Sequence, residues 1–163
     1  MAKTNMKTNV MRILEQNGVA YTSHEYPHEN GALPGTSVAA ILGVDPEILY
    51  KTLVTRGASK TNYVFVIPCS SELDLKLAAK AVGEKSIEMI RQAELLPLTG
   101  YVHGGCSPIG MKKRFTTVYE ELILLIDSVI VSAGKIGWQI ELAPKDLLAL
   151  TDGKTAAVIT EPV

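Results

Sequence analysis

Residues 49–68 read LYKTLVTRGASKTNYVFVIP and predict a pair of adjacent strands. β-Branched and aromatic residues dominate 49–55 and 63–68, and each run has the length of an ordinary strand. The polar segment between the two runs contains Gly57, and glycine is typical of a tight turn. We therefore predict a β-hairpin over these residues.

Lys51 is the one charged residue within the first of these runs. Side chains alternate across a strand, so Lys51 shares a face with Leu49 and Leu53 while Tyr50 lies on the other face. A lysine among leucines either lies at a sheet rim, with its ammonium group in water, or belongs to a functional site. The residues alone favour the rim and leave the site open.

Helix and strand patterns alternate irregularly on both sides of the hairpin. The predicted helices are one capped by Thr4 or Asn5 and ended by Gly18, then 38–42, 75–82 with Ser71 and Asp74 as a capping box, 91–95 and 144–150. The other predicted strands are 19–26, 99–103, 116–119, 129–132, 139–142 and 156–159. Because these strands do not form a regular βαβ series, we predict an α+β fold, with residues 1–163 as one mixed domain.

Composition is that of an ordinary globular protein. The chain has 163 residues, of which 47% are hydrophobic and 20% charged, and its formal net charge is −1. That charge gives no overall attraction to nucleic acid, so any RNA contact needs a local cluster of cations. Two cysteines are too few for a disulfide framework and predict reduced thiols in a cytoplasmic protein. The N-terminal residues lack the apolar region of a secretion signal, and no apolar run has membrane-spanning length.

Motifs of several common chemistries are missing. The sequence contains no Walker A motif, no Gly-x-Gly-x-x-Gly after a strand and no Gly-x-Ser-x-Gly elbow. The histidines are His24, His28 and His103, and Pro27 disfavours the helix that would pair the first two on zinc. We therefore predict neither a metal site nor a cofactor.

Residues 104–114, GGCSPIGMKKR, have no helical or strand periodicity. Glycine lets a ligand approach the main chain closely, and proline fixes its own φ. Such a loop offers backbone groups to a small polar ligand, while Lys112, Lys113 and Arg114 attract phosphate. A tight turn followed by a solvated basic patch explains the same residues about equally well.

Cys106 lies inside this loop, near positive charge, where a thiol can become a nucleophile. No catalytic histidine can be paired with it from the sequence, and a small packing thiol is the commoner outcome. A similar ambiguity holds for residues 131–135, VSAGK, which either form the opposite wall of a pocket or end a strand.

Five segments, taken in their order and spacing, resemble the YbaK family: YKTL at 50–53, LKLAAKA at 75–81, LTGY at 98–101, GGCSPIG at 104–110 and VSAG at 131–134. Members of that family are free-standing aminoacyl-tRNA deacylases related to the editing domain of bacterial prolyl-tRNA synthetases. The resemblance implies a compact mixed domain with a central, largely antiparallel sheet and flanking helices. It also implies a pocket for the aminoacyl-adenosine end of a mischarged tRNA.

The resemblance assigns roles to residues by position. Lys51 matches the family's essential lysine, and Gly104 and Pro108 match the ends of its Gly-x-x-x-Pro loop. Lys51 and Gly104 are therefore the predicted catalytic residues. The predicted substrate-binding residues are Tyr26, Thr52, Gly105, Ser107, Pro108, Ser132 and Gly134. The predicted tRNA-binding residues, Lys112, Lys113 and Arg114, follow from their local positive charge and not from the resemblance.

Two positions depart from the family's pattern. Ile136 stands where relatives often carry arginine, so the RNA contact of that arginine is not expected here. Cys106 stands where an aliphatic residue is common, so the lining of the loop is not fixed by the resemblance.

The family's closest subgroup removes cysteine from tRNA(Pro), so the resemblance implies Cys-tRNA(Pro) as the substrate, with Cys-tRNA(Cys) as a second candidate. In a cysteinyl ester the substrate's own thiol can attack the carbonyl and release a thiolactone, which agrees with the missing catalytic triad. The protein then supplies positioning and charge stabilisation. The alternatives are hydrolytic editing of another small amino acid, such as alanine, and a non-catalytic module that binds tRNA or prolyl-tRNA synthetase. Prolyl-tRNA synthetase is also the expected partner of the enzyme.

Overall fold

The computed structural model describes residues 7–29 and 31–160. These residues form five α-helices: α1 (Asn9–Gln16), α2 (Gly35–Leu42), α3 (Leu75–Val82), α4 (Leu95–Thr99) and α5 (Pro144–Thr151). They also form eight strands: β1 (Tyr21–Glu25), β2 (Tyr50–Gly57), β3 (Asn62–Pro68), β4 (Ile87–Met89), β5 (Thr116–Glu120), β6 (Val129–Lys135), β7 (Trp138–Leu142) and β8 (Lys154–Ala156). Two short 3₁₀ helices, Gln92–Glu94 and Glu121–Leu125, complete the element order.

The predicted hairpin is confirmed. Strands β2 and β3 pair antiparallel over their whole length, with Lys51 opposite Ile67. The turn is closed by Gly57, whose N–H donates to the carbonyl of Thr61 at 2.8 Å. Lys60 takes the left-handed conformation within the turn, at φ 74°.

The strands form two sheets where the resemblance implied one central sheet. Five strands lie in the order β4-β2-β3-β5-β8, with β3–β5 and β5–β8 parallel and the other pairs antiparallel. The second sheet, β1-β7-β6, is wholly antiparallel. The sheets meet where Leu49 bridges Ile130, and the Ile130 N–H donates to the Ile48 carbonyl at 2.8 Å. The α+β class is confirmed, and most strand pairs are antiparallel.

Apolar residues from both sheets join in one main core. It includes Tyr50 and Val54 of β2, Val131 of β6 and Ile140 of β7, together with residues of α1 and α5. The other face of the five-stranded sheet packs Phe65 and similar residues against α3. A third cluster forms where α2 covers the junction of the two sheets. Alternation along β2 directs the side chain of Lys51 away from the main core, onto the face that also carries Leu53.

Two predicted helix starts need correction. The carboxylate of Asp74 caps α3 by accepting from the N–H groups of Lys76 and Leu77, both at 3.0 Å, so Ser71 is not its cap. Helix α1 is capped by Thr8, whose hydroxyl accepts from Met11 N at 3.2 Å. The predicted caps Thr4 and Asn5 lie outside the described residues.

The predicted strand at 99–103 is wrong. Thr99 ends α4, its hydroxyl donating to the Leu95 carbonyl at 2.8 Å, and Gly100 follows in the left-handed conformation at φ 84°. Its aromatic residue, Tyr101, packs against the main core from a loop, whereas Val102 is exposed, and neither residue pairs in a sheet. The predicted helix at 91–95 is likewise a 3₁₀ turn that leads into α4.

Shorter elements also differ from expectation. Strand β4 was not predicted, since its three residues, IEM, are too few to show a period. The last strand lies at Lys154–Ala156, not at 156–159, where Ile159 makes an isolated bridge to Leu73. Within the described residues, no helix combines the length and apolar character needed to cross a membrane.

Candidate active site

A cavity of about 350 Å³ lies where α2, the start of β2, the loop after α4 and the β6–β7 pair come together. It gathers residues that are far apart in the chain: Tyr26, Leu33, Pro34, Gly35, Thr36, Val38, Leu49, Tyr50, Lys51, Thr52, Leu53, Cys69, Leu95, His103, Gly104, Cys106, Ser132 and Gln139. Both predicted catalytic residues, Lys51 and Gly104, are among them. So are three of the predicted substrate-binding residues, Tyr26, Thr52 and Ser132.

The electrostatic character of this cavity is set by Lys51. Among the described residues that line it, none is acidic. Lys51 is half-buried on β2 and forms none of the ion pairs found in the described part of the chain. An ammonium group with no protein carboxylate beside it is available to an anionic ligand or to developing negative charge.

The N-terminus of α2 forms one wall and adds to the positive character. Pro34, Gly35 and Thr36 line the cavity, and no side chain of the described residues caps the helix. Unpaired N–H groups and the helix dipole favour negative charge at such an end. Gly35 permits this close packing, since a Cβ there would lie 2.5 Å from Cβ of Cys69. Sequence reasoning missed this wall, although PG at 34–35 immediately before TS was a visible helix-start signal.

The glycine loop, residues 104–110, is built into the fold. Gly104 has φ +88°, and a Cβ there would collide with Cβ of Ala32. The Gly105 N–H donates to the Val102 carbonyl at 2.9 Å, and Ser107 Oγ accepts from Ile109 N at 3.2 Å. Residues 105–109 are buried, so the loop is fixed before any ligand arrives. A solvated turn is excluded for this part of the segment.

Four predicted substrate-binding residues do not line the cavity. Ser107 is fully buried, and Gly105 packs against the β6–β7 turn, with its Cβ position 3.0 Å from Ile136 N. Pro108 lines a second cavity at the other end of the loop. Gly134, at φ +92°, lies in a bulge of β6 and would clash with Tyr101 if it carried a Cβ. These residues shape the loop and its support.

The predicted tRNA-binding residues, Lys112, Lys113 and Arg114, follow the loop and are exposed. None of them lines the first cavity. Lys113 and Arg114 line the second cavity, together with Pro108. The basic patch and the candidate active site are thus separate surfaces joined by the glycine loop.

Both cysteines line the first cavity, and both are held as neutral thiols. Burial raises the pKa of Cys106 to about 12. Burial also raises the pKa of Cys69, an effect that the nearby Lys51 ammonium opposes. Cys69 Sγ donates to the Pro46 carbonyl at 3.3 Å. Since the thiolate is the reactive form, neither group is activated as a nucleophile at neutral pH.

Several lining residues were missed by sequence reasoning. Gln139 lies directly opposite Ser132 in the β6–β7 register, and both side chains are more than nine-tenths buried. Cys69 directly follows the end of β3, and Leu95 is the first residue of α4. At such positions the spacing of apolar residues does not indicate which side chains are buried. His103 was named with the other histidines, and no role of its own was predicted for it. In the described ranges, no group of three His, Cys, Asp or Glu side chains is placed to hold a metal ion.

The other two histidines lie elsewhere. His24 Nε2 contacts Glu141 Oε1 at 2.9 Å across the β1–β7 pair. His28 Nδ1 lies 3.1 Å from the Tyr26 carbonyl. Hydrogen bonds from Ser128 and His24 lower the pKa of Glu141. The His24–Glu141 pair joins neighbouring strands, and neither histidine lines the cavity.

Comparisons with known proteins agree with this geometry. A family model described as "Aminoacyl-tRNA editing domain" matches residues 28–150, a range that contains every lining residue except Tyr26. A curated relative from Enterococcus faecalis (strain ATCC 700802 / V583), named "Putative Cys-tRNA(Pro)/Cys-tRNA(Cys) deacylase EbsC", is 48% identical over 159 residues. That alignment covers 98% of this chain and 97% of the relative.

Two solved structures share the fold. One is described as "Crystal structure of a putative trans-editing enzyme for prolyl tRNA synthetase" and superposes with a TM-score of 0.80 at 26% identity, covering 93% of this chain and 95% of that one. The other, a hypothetical protein, has a TM-score of 0.83 at 23% identity, covering 93% of this chain and 99% of that one. At that identity the second likeness concerns the fold alone.

Proposed function

Because this chain belongs to the aminoacyl-tRNA editing domain family, we propose that it is a deacylase that removes cysteine from Cys-tRNA(Pro). The whole of residues 1–163 acts as this one editing domain. The observation that carries the proposal is the convergence of Lys51, the N-terminus of α2 and the fixed Gly104 backbone on one cavity whose described lining is free of acids.

The cavity suits the end of a mischarged tRNA and not a folded RNA element. Its volume of about 350 Å³ lies at the lower end of the range for small-molecule sites, ~300–1,000 Å³. An aminoacyl group on a ribose carries ester and phosphate oxygens, which match the Lys51 ammonium and the uncapped helix end. Thr52 Oγ1 is buried without a hydrogen-bond partner in the described residues. An unpaired buried hydroxyl costs free energy, which a bound ligand group or water recovers.

The proposed reaction uses the substrate's own sulfur. The cysteinyl thiol attacks the ester carbonyl carbon, so that a C–S bond forms and the C–O bond to the ribose breaks. The thiol proton ends on the ribose oxygen, and the products are a cyclic thiolactone and free tRNA. Lys51 stabilises the negative charge that develops on the ester oxygens. Holding thiol and carbonyl in attack geometry contributes up to ~7–11 kcal/mol.

The state of the two protein thiols supports this route. Cys106, with its pKa raised to about 12, is protonated at any physiological pH. An acyl-enzyme on Cys106 needs a thiolate and a base to form it. His103 is the one candidate base among the described residues that line the cavity. The hydrogen bonds found in the described part of the chain include none between His103 and Cys106, whose thiol contacts Thr99 instead. The reacting thiol is therefore assigned to the substrate.

Prolyl-tRNA synthetase is the proposed partner in solution. The net charge of −1 and a patch of three exposed cations neutralise few phosphates, so tRNA binding by this chain alone is weak. A synthetase that already holds tRNA(Pro) supplies the missing affinity and the choice of tRNA.

A substrate panel tests the proposal. Purified protein is incubated with Cys-tRNA(Pro), Ala-tRNA(Pro) and Pro-tRNA(Pro), and the released product is identified by mass spectrometry. We expect turnover of the cysteinyl ester, with the thiolactone as first product. Faster release of alanine, as the free acid, would replace this proposal by hydrolytic editing. No deacylation of any of the three esters, with or without prolyl-tRNA synthetase, would overturn the proposed deacylase activity and favour the non-catalytic alternative.

A further inference from the structure

A second cavity, of about 220 Å³, lies at the other end of the glycine loop. Its uncharged lining, called the floor below, is mostly apolar and includes Ile13, Ile109, Met111, Phe115 and Leu150, and Thr117 and Thr151 also belong to it. Its rim carries Lys113 and Arg114. Among the described residues around it, none is acidic.

The two rim cations are available to a ligand. Both are exposed, and neither takes part in an ion pair within residues 7–29 and 31–160. A guanidinium and an ammonium group above an apolar floor complement a molecule with one flat apolar part and one anionic part.

A nucleotide has that combination. Its base stacks on an aromatic side chain whatever its sequence, and its phosphate pairs with Arg or Lys. Phe115 supplies an aromatic side chain beside the two cations. The volume of about 220 Å³ is below the ~300–1,000 Å³ of pockets for larger ligands, which favours a single base with its sugar and phosphate at the rim.

The position of the cavity indicates which nucleotide. Gly104 lines the first cavity and Pro108 lines the second, and both belong to the glycine loop. Four residue steps span at most ~14 Å. A tRNA end whose aminoacyl-adenosine occupies the first cavity therefore brings the preceding unpaired nucleotides within reach of the second.

We propose that the second cavity is a nucleotide subsite, in which one base of the unpaired nucleotides preceding the terminal adenosine packs on Phe115 while its phosphate contacts Lys113 and Arg114. This inference rests on the proposed function for the identity of the RNA. It gives the enzyme a hold on the tRNA end that does not depend on the amino acid.

The first test separates the two cavities by substrate. Cysteinyl-adenosine ends at the terminal ribose and cannot reach the second cavity, whereas Cys-tRNA(Pro) can. Phe115→Leu keeps apolar volume but removes the aromatic face, and we expect KM for Cys-tRNA(Pro) to rise about tenfold. The rise should exceed any change with cysteinyl-adenosine by a similar factor. Phe115→Tyr, which retains the ring, should restore the wild-type KM for the tRNA.

The second test measures binding without catalysis. A single-stranded RNA oligonucleotide ending in CCA, uncharged and fluorescently labelled, is titrated with the wild-type protein and with the variant Lys113→Glu/Arg114→Glu. We expect at least a tenfold loss of affinity in the variant. Lys80→Glu/Lys76→Glu makes the same change of net charge on the exposed side of α3 and is the matched control.

Two further oligonucleotides should identify the stacked nucleotide. One lacks the base of its penultimate nucleotide, and the other lacks the base of the nucleotide before that.

Each result decides the inference separately from the proposed function. Equal loss in the charge-reversed variant and its control, or equal effects of Phe115→Leu on tRNA and cysteinyl-adenosine, would overturn the subsite. Unfolding of a variant is detected by circular dichroism, and the abasic oligonucleotides then test the wild-type protein alone: unchanged affinity for both would likewise overturn it. If neither substrate is deacylated, the proposed function fails while the binding experiment still tests the cavity.

Discussion

The two cavities share one loop but differ in how their cations are held. In the first, Lys51 projects from a paired strand into a cavity walled by several separate segments. In the second, Lys113 and Arg114 lie on an exposed segment at a rim. A half-buried charge on a rigid strand is preorganised, and electrostatic stabilisation of a transition state depends on that. Exposed cations attract phosphate groups, but salt screens that attraction, so it contributes to binding and not to stabilising a transition state. The difference suggests chemistry at one cavity and recognition at the other.

The largest effect is expected at Lys51. Lys51→Ala should lower kcat/KM for Cys-tRNA(Pro) by ~10²–10³, because loss of one preorganised charge partner commonly costs that much. Deacylation assays with a matched Lys80→Ala variant on α3 provide the control, and thermal unfolding shows whether the fold is kept. Near-normal turnover by a folded Lys51→Ala protein would remove the distinction between the two cavities.

Gly104 and Gly31 form a matched pair for the glycine loop. Both have φ +88°, but a Cβ at Gly104 collides with Ala32 while a Cβ at Gly31 meets nothing within 4 Å. Alanine at either position costs about 1–2 kcal/mol of backbone strain. Gly104→Ala should cost about 1–3 kcal/mol more through overpacking. Urea unfolding measures both free energies, and equal values would show that the loop tolerates a side chain facing Ala32.

A smaller effect concerns the exposed cations. Three cations that each neutralise a phosphate give a slope of log affinity against log salt of roughly −2 for single-stranded RNA. The triple variant of Lys112, Lys113 and Arg114 to alanine should flatten that slope. Fluorescence anisotropy at several salt concentrations provides the measurement.

Adding prolyl-tRNA synthetase should raise deacylation of Cys-tRNA(Pro) more than that of Cys-tRNA(Cys), and no stimulation would argue against the synthetase as a partner.

The smallest effect is expected at Cys106. Cys106→Ser should retain most activity, and the buried serine hydroxyl has Thr99 nearby, which already contacts the thiol.

The pKa of Cys106 is raised to about 12, so this group stays protonated from pH 6 to 9. A free thiol has a pKa of roughly 8.5, so deacylation should rise through that region as the substrate thiol ionises. The profile should be the same in wild type and variant, and a trapped acyl group on Cys106 would contradict this.

The hairpin and several helix ends could be predicted because their causes are local. Alternation and β-branched residues predict β2 and β3, and Gly43 and Gly83 end α2 and α3 in the left-handed conformation. Local patterns could not show that residues 99–103 are not a strand. Thr99 ends α4 through a hydrogen bond to the Leu95 carbonyl, and Tyr101 packs against the main core from a loop. A period of apolar residues reports burial, and burial occurs in loops as well.

The site divides in the same way. The resemblance placed Lys51, Gly104, Tyr26, Thr52 and Ser132 in one pocket, and the structure brings these five residues to one cavity. The resemblance could not show that Ser107 and Gly134 lie outside the lining of this cavity and support the glycine loop instead. Nor could it show that α2 and Cys69 line the cavity. These contacts depend on how closely two backbone segments approach each other, and the residue types at each position do not predict that distance.

The sequence by itself determined the α+β fold class, the hairpin that carries Lys51 and the helix ends at Gly43 and Gly83. The hairpin and the helix ends follow from residues near one another in the chain, and the fold class follows from the irregular order of the helix and strand patterns. Only the tertiary structure decided that the glycine loop lies between two cavities, that Lys51 faces one of them and that Lys113 and Arg114 face the other. The physical reason is that a cavity is the space left between elements, so its lining is set by long-range packing of both sheets with α2.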